Sequence, residues 1–112
     1  EDVCAHCKMA ISEKEFAAEF VNQEGDAFKF DDIGCMLDYL KTKPNIKAAA
    51  YFFMDYETKQ WVKSTDAKFV KSNEITAPMG GGMIAFHDQT KAEAAAAKYK
   101  GKKLNFEELT RQ

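Results

Sequence analysis

The sequence predicts an α+β fold made of two pseudo-repeated β-β-α-β units, and three observations carry that expectation. Short segments alternate apolar and polar residues, apolar stripes of helical period separate them, and one strand-to-helix junction occurs twice. The two junctions are Phe30-Asp31-Asp32 and Phe86-His87-Asp88. The division expected from this duplication is an N-terminal loop with the first unit over residues 1–58 and a second unit over 59–112, both within one compact chain.

Residues 1–12 have no clean period and read as a loop rich in polar and sulfur side chains. Phe16, Ala18 and Phe20 then alternate with their neighbours, which suggests a strand with one buried face. Asn22 to Asp26 is turn chemistry, and Phe28 and Phe30 resume the alternation, so a hairpin is expected. Asp31 or Asp32 can cap a helix whose apolar stripe is Ile33, Met36, Leu37 and Leu40, and Pro44 stops it. An aromatic-rich strand over Ala48–Tyr56 and a turn at Glu57-Thr58-Lys59 follow.

The second half repeats the pattern. Trp61–Val62 and Ala67–Val70 are strand-like, residues 78–82 form a flexible loop, and Met83–Phe86 is a further strand. Asp88 can cap a helix running through Ala92, Ala95, Ala96 and Tyr99, with Gly101 placed where a helix end favours positive φ. Leu104–Leu109 is expected to close the unit as a strand.

The bulk composition excludes several roles. Of 112 residues, 46% are hydrophobic and 30% charged, the balance of an ordinary globular domain. Net charge is -2 and the 16 basic residues are scattered, so no basic patch for nucleic acid or a membrane surface is present. No apolar run approaches a membrane span, and no signal-peptide pattern occurs, as expected of a processed or trimmed N-terminus. The serines at 12, 64 and 72 lie beside no histidine, and Gly80-Gly81-Gly82 fits neither the P-loop nor the dinucleotide fingerprint.

The sharpest chemical signal is Cys4-x-His6-Cys7-x-Met9, four soft or borderline ligands within six positions. Thiolate and thioether sulfur favour Cu(I), whereas zinc prefers four ligands and does not recruit a thioether. An alternative remains open: Cys4 and Cys7 could form a disulfide, although an odd count of three cysteines argues against a complete disulfide framework. A second cluster, Pro78-Met79-Gly80-Gly81-Gly82-Met83, brackets three glycines with two methionines and makes a poor core element. A methionine on so pliable a loop could close over an ion and release it. Met79 is the better candidate, because Met83 begins a strand and can point inward.

Other residues are less telling. Met36 belongs to the apolar stripe of its helix, whereas Cys35 lies nearly opposite that stripe, on the flank shared with Tyr39, where it could line a groove. His87 is a weaker candidate ligand, and Asp31, Asp32 and Asp88 are most simply helix caps.

Read together, these motifs resemble the NosL family of copper chaperones. The resemblance runs through Glu1-Asp2-x-Cys4-x-x-Cys7-x-Met9, Phe16-Ala17, Phe30-Asp31-Asp32, Trp61 and Asp66-Ala67. It continues through Thr76-x-Pro78-Met79-Gly80-Gly81-Gly82-Met83-x-Ala85-Phe86 and Ala94 to Tyr99, so it covers nearly the whole chain in order. It implies a fold likened to the organomercurial lyase MerB, and a lipoprotein outside the cytoplasmic membrane. Such a protein would bind Cu(I) and deliver it to nitrous oxide reductase and its assembly machinery. It also implies a Cys-x-Met pair plus a later methionine as ligands, here Cys7, Met9 and Met79. Cys4 matches the first cysteine of the fuller motif, with His6 and Met83 as additional candidates. Lys8 stands where many members have glycine, and the lipid-anchor cysteine is not among these residues, so anchoring rests on the resemblance alone.

Three competing functions are weighed against that reading. A thiol–disulfide oxidoreductase using Cys4 and Cys7 would place its CxxC at a helix N-terminus, and no helical pattern follows this one. An organomercurial lyase or mercury-binding protein could use Cys7, Cys35 and Asp31 but would leave the methionine loop without a purpose. A purely structural interaction domain predicts sulfur atoms scattered apart. The expectation is therefore a carrier and not an enzyme.

Overall fold

The computed structural model describes residues 2–111; Glu1 and Gln112, the ends of the expected units and of the first motif, lie outside the described residues. After a short 3-10 turn at Lys14–Phe16, β1 (Ala18–Asn22) and β2 (Ala27–Phe30) form the expected hairpin, with Ala18 opposite Phe30 and Phe20 opposite Phe28. Alternation drives the pairing, since Ala18 and Phe20 are buried while Glu19 and Val21 are only partly covered.

Helix α1 (Ile33–Thr42) starts at Asp32, whose side chain accepts the Cys35 N–H, and it ends before Pro44. Strand β3 (Ala48–Met54) returns antiparallel to β1, and β4 (Trp61–Lys63) pairs with β3, giving a sheet of order β2-β1-β3-β4. The second sheet contains β5 (Lys68–Lys71), β6 (Met83–Phe86) and β7 (Lys102–Leu104) in the order β6-β5-β7, with α2 (Gln89–Lys98) between β6 and β7. In each half the first strand lies between the other two, so the two β-β-α-β units share one strand order.

The expected division at 58/59 separates β4 from the sheet it belongs to. Phe52 pairs with Lys63 and Met54 with Trp61, so the first sheet runs through Lys63. The cause is a tight turn: Asp55 accepts the N–H groups of Glu57 and Thr58, and Lys59 adopts a φ of 57°, folding the chain straight back on β3.

Two expectations about the C-terminal region are corrected. Leu104–Leu109 is not a strand: β7 stops at Leu104, and α3 (Phe106–Thr110) begins on a reciprocal capping box between Asn105 and Glu108. At the end of α2, Lys100 takes the positive φ, 54°, and not Gly101. Gly101 instead donates its N–H to Ala96 and passes the second sheet closely, where a Cβ would stand 2.8 Å from the Lys71 carbonyl oxygen.

Phe20, Phe30, Phe53 and Phe69 are fully buried. Phe53 from the first sheet meets Phe69 from the second edge to face at 4.7 Å, so the two units share a core. Each such ring contributes about 1.5–3 kcal/mol by burial. Backbone contacts reinforce the junction: Asp55 forms an isolated bridge with Ala85, and the Tyr56 N–H donates to the Ala85 carbonyl at 2.8 Å.

Candidate metal centre

The first motif lies in a small hairpin-like loop clasped to the edge of the first sheet. Val3 pairs with Ala10, the Cys4 N–H donates to the Met9 carbonyl at 2.8 Å, and the Lys8 N–H donates to the Cys4 carbonyl at 3.0 Å. The Ala5 N–H donates to Lys29 in β2, which fixes the loop to that edge strand. Lys8 adopts a φ of 66°, the left-handed conformation that bends the chain between Cys7 and Met9.

The loop approaches the flank of α1 that carries Cys35 and Tyr39, with His6 edge-on to Tyr39 and two sulfurs beside Cys35. Cys4 is fully buried, Cys7 is partly covered, and Cys35 in the first turn of α1 is buried. The Sγ atoms of Cys4, Cys7 and Cys35 all lie within 4.8 Å of one another, and all three are free thiols. Three sulfurs bound trigonally to one ion at about 2.3 Å stand roughly 4 Å apart. The cluster therefore fits a single soft ion with small side-chain adjustment.

The three thiols are electrostatically unequal. Burial opposes ionisation of Cys4, but the N–H groups of Cys7, Asp31 and His6 turn toward its sulfur, as does the Cys7 thiol, and together they bring its pKa below the ordinary thiol value. The Cys7 N–H lies 3.5 Å from the Cys4 sulfur. Cys7 moves the other way, through loss of solvent first and then the neighbouring Cys4 and Asp31 charges, which the Met9 N–H offsets only in part. Cys35 is pushed up strongly, by burial above all and then by Asp32 and the other two thiols. A negative charge shared by the cluster therefore settles first on Cys4.

Asp31 stands beside these thiols, 5% exposed, and its Oδ1 has no hydrogen-bond partner among the described residues. Burial, with the charges of Asp32 and Glu13, raises its pKa. Asp32 and Asp88 cap the two long helices as expected, but Asp31 caps neither.

The family model for NosL matches residues 1–112. The chain belongs to the NosL family. No curated protein matches it by sequence. Among solved structures it is similar to the crystal structure of the copper chaperone NosL from Shewanella denitrificans, with 21% identity and a TM-score of 0.83. That likeness covers 96% of this chain and 88% of the other, and it establishes the shared α+β fold.

Of the family-type ligand set, the structure brings Cys4 and Cys7 together and adds Cys35. Met9 points outward on the rim of the loop, 59% exposed. Exposed His6 lies edge-on to Tyr39 of α1, ring centroids 6.3 Å apart. Met79 and Met83 share a cleft of about 330 Å³ with Cys35, Met79 at its rim and Met83 buried. His87 is exposed, with Asp55, Asp88 and Lys91 around the same hollow rather than any cysteine.

Cys35 is the member of the thiol cluster that the sequence leaves outside its candidate ligand set. Its signal was the off-stripe position it shares with Tyr39. That flank packs on β1 and β2 through Tyr39 against Phe20, Phe28 and Phe30, and the Cys4–Cys7 loop brings its sulfurs to Cys35 on the same side.

Proposed function

We propose that the protein is a copper(I) carrier that takes its ion on the thiols of Cys4, Cys7 and Cys35 and passes it to a partner protein. The observation that carries this reading is the convergence of three free cysteine sulfurs within 4.8 Å, one supplied by α1 and two by the N-terminal loop. Thiolate sulfur selects a soft monovalent ion, and low coordination lets an acceptor's ligands displace the donors one at a time. Met79 and Met83, on the cleft that Cys35 also lines, are thioethers placed to take part in that exchange.

The copper ion is cargo and not a cofactor, and the protein acts as a carrier without turnover chemistry. The family membership supports an extracytoplasmic, lipid-anchored setting, with nitrous oxide reductase and its assembly machinery as recipient. A disulfide-exchange role is less well supported. The Cys4-x-x-Cys7 segment lies in a hairpin-like loop and does not itself open a helix, and the third sulfur beside it suits an ion better than a two-electron couple.

The test is anaerobic titration of the reduced protein with Cu(I) against a chromophoric chelator, with copper-edge absorption on the loaded form. The expected result is one ion per chain surrounded by two or three sulfurs at about 2.3 Å, the usual metal–thiolate distance. Failure of the wild-type protein to compete for Cu(I), or unchanged affinity in a Cys4→Ser, Cys7→Ser, Cys35→Ser triple variant, would overturn the assignment.

A further inference from the structure

Asp32 does more than cap a helix. Its side chain is 1% exposed, and both of its oxygens are used. Oδ1 accepts the Cys35 N–H at 2.8 Å, the ordinary capping bond of α1. Oδ2 accepts the N–H of Met79 at 2.9 Å and that of Gly81 at 3.3 Å, from a loop 47 and 49 positions further along the chain. Capping accounts for the first oxygen and leaves the second unexplained.

The backbones that Asp32 ties together also touch. A Cβ on Gly34 would lie 3.0 Å from the Gly81 Cα, and one on Gly81 would lie 3.1 Å from the Gly34 nitrogen. Two glycines facing each other are what lets the loop lie flat on the first turn of α1. Gly80 and Gly82, at φ 77° and 65°, turn the chain on either side of this contact. A segment with three successive glycines has a large conformational entropy to lose, so a fixed position needs specific bonds, and Asp32 supplies two of them.

The consequence is geometric. The same residue holds Cys35, a member of the thiol cluster, and Met79, the half-exposed thioether at the mouth of the adjoining cleft. We propose that Asp32 is a positioning residue for copper release: it fixes the methionine loop against Cys35, so that Met79 receives the ion as it leaves the thiols. This rests on the copper reading above. Asp32 acts through backbone N–H groups and is not itself a ligand in this scheme. The transfer exchanges one sulfur donor for another at Cu(I), with no change of oxidation state, and each thiolate released is free to take a proton from solvent.

The experiment loads wild-type and variant proteins with one equivalent of Cu(I) and follows transfer to excess bathocuproine disulfonate by stopped flow. Asp32→Asn and Asp32→Ser each keep a capping oxygen and lose the second acceptor. Gly81→Ala keeps the Asp32 side chain but forces the loop off α1, so it reaches the same end by another route. Each is expected to slow transfer about tenfold while changing equilibrium affinity less than about threefold. Met79→Ala slows the wild type by a similar factor and adds nothing in the Asp32→Asn background, because both changes break one coupled step. That non-additivity is the readout a merely structural role would not give. If Asp32→Asn does not fold, Asp32→Ser and Gly81→Ala carry the same comparison with Met79→Ala.

Additive rate effects, or unchanged transfer in these variants, overturn the inference while leaving copper binding standing. A wild-type protein that takes up no Cu(I) overturns both readings at the first step.

Discussion

The Asp55 side chain accepts the backbone N–H of His87 at 2.8 Å, and this bond joins the end of β3 to the start of α2. Asp55 is buried and also accepts the N–H groups of Glu57 and Thr58, so one carboxyl group shapes the β3–β4 turn and locks the two units together. Burial alone would raise its pKa. The N–H groups of Thr58, His87 and Glu57 outweigh burial and hold the pKa below the ordinary carboxyl value of 3.8.

A depressed folded-state pKa means that the ionised form is favoured by folding. The stabilisation is therefore complete above the unfolded-state pKa near 4 and is lost as pH falls through the folded-state value. The Asp55 contribution, read as the difference in urea midpoint between wild type and Asp55→Asn, is expected to be level from pH 7 to about 5 and to decline below about 4. Asp55→Asn should cost about 1–2 kcal/mol at pH 7, because an amide has one acceptor oxygen for three partly buried N–H groups. The variant should also lose less stability on acidification. A decline equally steep in both proteins would show that other carboxyl groups control the transition.

The membership of the thiol cluster makes a second prediction, which separates two ligand sets. The family-type set includes Met9 and omits Cys35, whereas the structure buries Cys35 among the thiols and leaves Met9 on the rim. Cys35→Ser is expected to weaken Cu(I) binding by more than the 10–100-fold typical of losing a supporting hydrogen bond at a metal site. Met9→Leu, which preserves volume and removes only the thioether, should cost less than about tenfold. Chelator competition on the two single variants measures both. The reverse order would mean that the loop rearranges on binding to bring Met9 inward.

Much of the fold was legible because its signals are local. The alternation at Ala18 and Phe20, the Asp32 and Asp88 caps and the stop before Pro44 each act within a few residues. Leu104–Leu109 misled because apolar positions in so short a run fit either period, while the decisive Asn105–Glu108 capping box lies in polar residues. Cys4 and Cys7 stood out by spacing. Cys35 did not, because the two thiols it meets come from a loop some thirty residues earlier. The second function of Asp32 was hidden for the same reason: its partners at Met79 and Gly81 are defined only by tertiary structure.

Lys8 yields the last prediction. It stands between Cys7 and Met9 with a φ of 66°, where a Cβ crowds the following carbonyl at a cost of roughly 1–2 kcal/mol. The Lys8 N–H donates to the Cys4 carbonyl, so the conformation is fixed by the bond that closes the loop over the thiols and is not free to relax. Glycine removes the crowding but gives the unfolded chain more freedom, which offsets about 0.5–1 kcal/mol of the gain. Lys8→Gly is therefore expected to stabilise the protein by up to about 1 kcal/mol. Lys8→Ala, which keeps the Cβ, should change stability by less than about 0.5 kcal/mol. Denaturant midpoints of the three proteins decide it. A Gly variant no more stable than the Ala variant would mean that Lys8 is not strained, and that the loop owes its shape to its hydrogen bonds alone.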